Sequence, residues 1–169
     1  IFFSLYDTKE FCKYNPGMPE FKFYYPLQVR YADLDPQWHV NNTRFLTYIE
    51  QARLAYVCHL DLWDGVSFLD LGIIIADVHI TYLAPIVLGQ KIRVGVRVSR
   101  IGNKSLTFEN QIEDEGSGEI LATGEVVAVA YDFHKYKTVP VSEVWREKIT
   151  AFEGRLLYRL CLHHTEIFY

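Results

Sequence analysis

Cysteine is scarce in this sequence, and its three copies form no recognisable pattern. Cys12, Cys58 and Cys161 are odd in number and far apart, which fits neither a disulfide framework nor the ligand spacing of a zinc site. We therefore expect no bound metal. A chain without disulfides suits a reducing compartment, which favours a cytoplasmic protein.

Long apolar runs and runs of like charge are also missing. No segment reaches the roughly 18 consecutive apolar residues that span a bilayer, which argues against a membrane partner. The net charge of -4 is spread along the chain, so there is no concentrated basic face for nucleic acid. With 50% hydrophobic and 22% charged residues, the chain has the composition of one packed domain.

Motifs of several common enzyme classes are absent as well. There is no G-x-S-x-G elbow of a serine hydrolase and no glycine-rich loop for a nucleotide phosphate. We therefore expect no organic cofactor. The one methionine is Met18. We expect the native start there, with a domain over residues 18–154 and flanking extensions over 1–17 and 155–169.

The most informative stretch is "RYADLDPQWHVNNTRFLTYIEQARLAY", which begins at Arg30. Residues 21–31 are rich in aromatic side chains and predict a strand, with Pro26 marking a sheet edge. Residues 33–40 are polar and predict a loop. The next residues, Asn41, Asn42 or Thr43, are suited to cap a helix.

A long helix is predicted after this cap. Apolar residues recur there at helical spacing, and Leu46 and Val57 widen the stripe. The wide apolar face indicates a helix wrapped by other structure. Glu50 and Arg53 are three residues apart and are expected to pair on the remaining face. The predicted core residues of the helix are Phe45, Tyr48, Ile49, Ala52, Ala55, Tyr56 and Leu60.

After Gly72 the apolar period changes from helical spacing to two, which predicts four long strands joined by tight hairpins. In the first of them, one face is expected to carry Ile74, Ala76, Val78, Ile80 and Tyr82. A short last helix is predicted between a Ser142 cap and a Gly154 stop. One apolar face per strand predicts a single antiparallel sheet, and the long helix is the element that fills its concave side.

The blocks "VRYADLDPQWHVNNTRFLTYIEQAR" and "YLAPIVLGQKIRVGVRVSRIGNKSLTFENQI" closely resemble the acyl-thioesterases of the 4-hydroxybenzoyl-CoA thioesterase type. The D-x-D-x-x-x-H-V-N-N run also resembles the plant-type acyl-carrier-protein thioesterases. The resemblance covers about residues 18–154. It implies an α+β protein with the hotdog fold, in which an antiparallel sheet of about five strands wraps around one long central helix.

The resemblance also implies an active site. The second aspartate of the run, Asp35, would act as nucleophile or as general base towards water, and the backbone N–H of Asn42 would polarise the thioester oxygen. A helix N-terminus independently suits this task, because it presents unpaired N–H donors and a partial positive charge. His39 would complete the catalytic set. In the carrier-protein branch the proposed catalytic set maps to Asp35, Gln37 and His39, and the position of Gln37 usually holds Asn there.

Each of these residues also has a purely structural interpretation. Asp35 is a natural Asx-turn residue before Pro36, and His39 is suited to stabilise the same turn. Asn41 and Asn42 are good helix-capping residues. Trp38 stands where relatives often have Gly, and we expect its ring near the acyl entrance. Together with Gln37, Asn41 and Glu50, it forms the predicted substrate-binding set.

The sequence predicts a thioester hydrolase that releases a carboxylic acid and free CoA from acyl-CoA. The first alternative is the same reaction on acyl-carrier protein. The second is a non-catalytic hotdog module that binds an acyl group or CoA. The resemblance further implies a homodimer or homotetramer with sheets joined edge to edge and a site shared between subunits. Exposed edge strands give an independent reason to oligomerise. Basic residues of the third strand, Lys91, Arg93 and Arg97, are candidates to meet CoA phosphates.

Overall fold

A computed structural model describes residues 21–154. The expectations for Met18 and for the flanking segments therefore lie largely outside the described residues. Two short 3-10 turns, Tyr31–Asp33 and Phe68–Asp70, lie in the loops before and after the long helix. The helices and strands are β1 Phe23–Gln28, α1 Asn42–His59, β2 Ile73–Tyr82, β3 Lys91–Ile101, β4 Ser105–Asp114, β5 Ile120–Asp132, β6 Lys137–Thr138 and α2 Glu143–Glu153.

The strands form one antiparallel sheet in the order β1-β3-β4-β5-β2, with the short β6 pairing with β5. The two edges of the main sheet are therefore β1 and β2. The predicted hairpin between β2 and β3 is wrong, because β3 pairs with β1 and β4 and the chain crosses the sheet between β2 and β3. Pro26 lies within β1, where the missing N–H of proline is tolerated because the strand is at an edge. The predicted α+β class, with an antiparallel sheet packed on one long helix, is confirmed.

Helix α1 packs on the apolar face of the sheet. Gly124 on β5 allows a close approach, because a Cβ at this position would lie 3.1 Å from Cδ1 of Ile49 and 3.3 Å from the carbonyl oxygen of His79. Full burial of an apolar side chain such as Ile49 stabilises the fold by about 1.5–3 kcal/mol. The buried residues of α1 are Phe45, Tyr48, Ile49, Ala52, Arg53, Tyr56 and Val57.

Two predictions about the surface of α1 are wrong. Leu46 is 44% exposed and does not widen the buried stripe. Arg53 is buried, and it forms no ion pair with Glu50 in the part of the chain that the structure describes. The helical period predicts which face of a helix is apolar, but it does not predict how far the surrounding loops cover each face. Here the 3-10 turn after α1 contributes Phe68 to a wall beside Arg53.

The predicted alternation in β2 is also wrong at one point. A β-bulge lies between Ile75 and Asp77, so one extra residue shifts the side-chain alternation. Ile73 and Ile75 before the bulge, and Tyr82 after it, all border cavities beside α1. The face that meets the helix therefore changes from odd to even positions at the bulge. By contrast, the predicted caps of α2 are confirmed, with Ser142 at its start and Gly154 in the left-handed conformation at its end.

Candidate active site

Asp33, the first aspartate of the D-x-D run, is fully buried. Its carboxylate accepts hydrogen bonds from the backbone N–H and the guanidinium of Arg30, and from the Tyr48 hydroxyl at 3.0 Å. Burial alone would raise the pKa of Asp33, but the hydrogen bonds from Arg30 and Tyr48 outweigh it and hold this pKa below its ordinary value. Asp33 therefore links the loop to Tyr48 of α1.

Asp35, the second aspartate, closes a tight turn. Its Oδ1 accepts from the backbone N–H of Gln37 at 2.8 Å and of His39 at 3.4 Å. The backbone N–H of Asp35 donates to the carbonyl of His39 at 2.8 Å, which completes a small hairpin. Its second oxygen, Oδ2, accepts no hydrogen bond from residues 21–154. The turn thus uses one carboxylate oxygen and leaves the other for a ligand or water.

The start of α1 lies beside this turn. Asn41 is the N-cap, and its side-chain oxygen accepts from the backbone N–H of Thr43 at 3.0 Å. The N–H of Asn42, the first helical residue, donates to no acceptor within residues 21–154. It is one of the unpaired donors at the positive end of the helix. The Tyr82 hydroxyl donates to the carbonyl of Asn42 at 3.2 Å, which ties β2 to this helix start.

The turn and the helix start border one open cavity of about 450 Å³, called here the Asp35 cavity. The structure thus brings together the three predicted catalytic residues Asp35, His39 and Asn42. Most of the remaining wall is apolar, and Phe45 and Tyr82 meet there edge to face with ring centroids 5.0 Å apart. The full lining is Asp35, His39, Val40, Asn42, Phe45, Tyr82, Leu83, Ala84 and Pro85.

The predicted substrate-binding residues are dispersed. Asn41 caps the helix next to the cavity, while Gln37 and Trp38 are exposed and do not contribute to its wall. Glu50 borders a different cavity farther along α1. Trp38 is 65% exposed and packs edge to face on Tyr31 at 6.3 Å. The Trp38 ring therefore lies outside the Asp35 cavity and does not narrow it.

Trp38 also has a left-handed backbone, with φ of 64°. This conformation costs an L-residue about 1–2 kcal/mol, whereas Gly adopts it freely. We therefore expect Trp38→Gly to be more stable than Trp38→Ala by about 1 kcal/mol, because both lose the ring contact but only Gly relieves the backbone. Urea unfolding of the two variants measures this difference. Equal midpoints would contradict a strained backbone at this position.

Sequence reasoning missed part of the cavity wall. Tyr82, Leu83, Ala84 and Pro85 line it, although in the sequence they had no more than a supporting role as the "YLAP" signature. The signal was therefore present, but the loop after β2 could be placed beside the helix start only in three dimensions. The suggestion that Arg93 and Arg97 meet CoA phosphates is not supported. These side chains are engaged in salt bridges with Glu113 and Glu109 on the sheet face away from α1.

Comparison with known proteins assigns the family. The sequence model of the Thioesterase-like superfamily matches residues 29–149. The long-chain acyl-CoA thioesterase FadM of Escherichia coli (strain K12) is 25% identical over 123 residues, which cover 73% of this chain and 93% of that protein.

Solved structures agree with this assignment. A thioesterase of Thermus thermophilus, determined in complex with coenzyme A and Zn, is 36% identical with a TM-score of 0.72. The match covers 82% of this chain and 99% of that one. A thioesterase superfamily protein of Jannaschia sp. CCS1 is 26% identical with a TM-score of 0.72, covering 82% of this chain and 87% of that one.

The chain belongs to the Thioesterase-like superfamily. The predicted hotdog fold and the predicted enzyme class, a thioester hydrolase, are confirmed, and acyl-CoA thioesterase activity is supported at the level of the family. No helix within residues 21–154 is long and apolar enough to cross a membrane.

Proposed function

We propose that this enzyme hydrolyses acyl-CoA at the Asp35 cavity, with Asp35 as nucleophile or general base and the Asn42 N–H as oxyanion donor. The observation that carries the proposal is that a carboxylate with one oxygen unoccupied and an unpaired helix N-terminal donor border the same cavity. A thioester is reactive enough for these two groups to suffice.

The reaction requires a short sequence of bond changes. With Asp35 as base, its carboxylate takes a proton from water, the water oxygen bonds to the acyl carbon, and the oxyanion is stabilised at the start of α1. The carbon–sulfur bond then breaks, and the CoA thiolate leaves and takes up the proton. With Asp35 as nucleophile, a carboxylate oxygen bonds to the acyl carbon and the carbon–sulfur bond breaks, so that the CoA thiolate leaves from a mixed anhydride. Water then attacks the anhydride, which releases the carboxylic acid and regenerates the Asp35 carboxylate, and the thiolate takes up the remaining proton.

The other site residues have supporting roles in this proposal. His39 and Gln37 hold the Asp35 carboxylate through their backbone N–H groups, and Asn41 fixes the first turn of α1. The apolar side chains of Phe45 and Leu83 provide a surface for the acyl group.

The carrier is the main alternative within the same chemistry. Arg30 and Arg44 lie near the loop with partly exposed side chains, as an acidic carrier protein would require, although both interact with Asp33. CoA is favoured because a similar Thermus thermophilus thioesterase was solved with CoA. Initial rates on matched acyl-CoA and acyl-carrier-protein substrates test this choice. A higher kcat/KM on the acyl-carrier-protein substrate would overturn the choice of CoA. Binding of either substrate without thiol release would indicate a non-catalytic module.

We also propose that the enzyme is a homo-oligomer joined at the free edge of β2. This strand pairs with β5 on one side and exposes Ile74, Ile75 and Val78. A long apolar edge strand is a ready template for pairing with a second copy. Val78→Lys is expected to shift the protein to monomer in sedimentation velocity. Val66→Lys, an exposed valine away from the sheet, should leave the association unchanged, and a monomeric wild type would refute the proposal.

A further inference from the structure

A second cavity lies farther along α1, between the helix, the Phe68–Asp70 turn and the start of β2. It has a volume of about 420 Å³, within the range of about 300–1,000 Å³ typical of small-molecule sites. Its wall is mainly apolar, and it is called here the Arg53 cavity. The apolar lining consists of Leu54, Val57, Phe68, Leu71, Ile73 and Ile75.

Arg53 is the unusual member of this wall. It is 8% exposed, and it makes no hydrogen bond or ion pair with any residue of the described segment 21–154. Burial lowers the pKa of Arg53, and the Glu50 carboxylate opposes this effect from beyond ion-pair distance. Glu50 is exposed, so solvent screens its attraction. A desolvated cation without an anion is unfavourable unless something pairs with it.

Arg53 contributes to the wall of the cavity and is not completely sealed in the core. Among the described residues, the fully buried side-chain atoms without a hydrogen-bond partner are Asn110 Oδ1 and Thr150 Oγ1. The unpaired nitrogens of Arg53 do not belong to that group, so they keep some accessible surface. The cavity therefore combines Arg53 with the polar side chains of Thr47, Glu50 and Gln51 and with a larger apolar surface.

We propose that the Arg53 cavity binds a carboxylate carried on an apolar chain. A guanidinium fits a carboxylate with two parallel hydrogen bonds, which compensates the buried charge. Leu54, Phe68 and Ile75 cover the chain. An uncharged chain would gain the apolar contacts alone and would leave Arg53 unpaired.

Such a carboxylate has two sources. One is a free fatty acid, which needs no catalytic role for the protein. The other is the far end of an acyl group whose thioester lies at Asn42, and this source rests on the proposed function. Arg53 is eleven positions after Asn42, or about 16 Å along the helix axis, so a dicarboxylic acyl chain would have to run along α1.

Calorimetric titration with decanoate and with decanol tests binding directly, without any turnover. We expect wild type to bind decanoate more tightly than decanol, and Arg53→Gln to weaken decanoate by about tenfold or more without changing decanol. Arg53→Lys keeps the charge and should retain part of the preference. Arg44→Gln removes an arginine of the same helix outside the cavity and serves as the matched control.

A second arm addresses the acyl group. Rates on tetradecanoyl-CoA and on the CoA thioester of the dicarboxylic acid of equal length are compared in wild type and Arg53→Gln. A preference for the dicarboxylic substrate that disappears in Arg53→Gln supports the inference with the acyl group as the source. Arg53-dependent binding of decanoate supports it with a free acid as the source, even if no thioester is hydrolysed.

The inference is overturned if neither the binding of decanoate nor the preference for the dicarboxylic substrate depends on the charge of Arg53. Thermal unfolding distinguishes a ligand-binding role of Arg53 from a purely structural one. Arg53→Met is expected to raise Tm without ligand, because it removes an unpaired buried charge. A lowered Tm together with no decanoate binding would show that Arg53 is paired within the protein assembly, for example by a second copy joined at β2, and would also overturn the proposal.

Discussion

Asp35→Asn is expected to lower kcat/KM for acyl-CoA hydrolysis by about 10²- to 10⁴-fold, the typical contribution of a positioned acid–base group. Asparagine keeps a side-chain oxygen for the N–H groups of Gln37 and His39, so the turn is retained. It cannot take a proton from water at neutral pH, and it is a poor nucleophile. The loss should therefore appear in kcat while the fold is unchanged.

The measurement is CoA release under initial-rate conditions, with Tm as the control for folding. A drop in activity together with an unchanged Tm supports a chemical role for Asp35. Full activity in Asp35→Asn would refute the mechanism, although the family and fold would stand. Asn41→Ala is a useful comparison, since it removes the N-cap contact to Thr43 and should cost about 1 kcal/mol of stability.

Asp33→Ala is expected to destabilise the protein by about 3–5 kcal/mol, the largest effect on stability that the site predicts. The change leaves the Tyr48 hydroxyl and the Arg30 N–H without their acceptor inside the structure. Asp35→Ala is the matched control two residues away. Its carboxylate is half-buried and holds a surface turn, so it should cost about 1 kcal/mol. Urea unfolding of both variants measures the difference, and similar losses would contradict separate roles for the two aspartates.

The same carboxylate gives a pH dependence. The pKa of Asp33 in the folded protein is held below its ordinary value of 3.8 by the hydrogen bonds that outweigh burial. Its contribution is therefore complete above pH 3.8 and is lost as pH falls through the lower folded pKa. The free energy of unfolding of wild type should fall in this acidic range, whereas that of Asp33→Asn should fall less steeply. Parallel pH profiles would contradict this assignment.

Much of the fold followed from residue patterns, because apolar periodicity and capping residues are local signals. Asn41 caps α1, and Ser142 and Gly154 bound α2, as predicted. The bulge in β2 was not predictable, because one extra residue in a strand changes pairing with β5 without leaving a distinctive composition. The burial of Arg53 was missed for a related reason, since part of the surrounding wall, including Phe68, comes from a loop with no periodic signal.

The candidate site was predictable in its polar half. Asp35, His39 and Asn42 are close in sequence, so the loop-to-helix transition alone brings them to one cavity. Much of the apolar half comes from Tyr82 at the end of β2 and from the segment after it, which lie about forty residues later and reach the helix start through the fold. Trp38 illustrates the limit of position-based inference. Its place in the motif predicted a ring at the acyl entrance. In the structure Trp38 has a left-handed backbone, and its ring packs on Tyr31 outside the cavity.

CoA release by the wild-type enzyme from a panel of short, long, branched, aromatic and dicarboxylic acyl-CoA substrates tests the central claim most directly. We expect steady thiol release from at least one of them, with the rate lost in Asp35→Asn and retained in variants outside the cavity such as Val66→Lys. Absence of thiol release from every member of the panel, with a folded protein, would contradict the claim that the Asp35 cavity hydrolyses acyl-CoA.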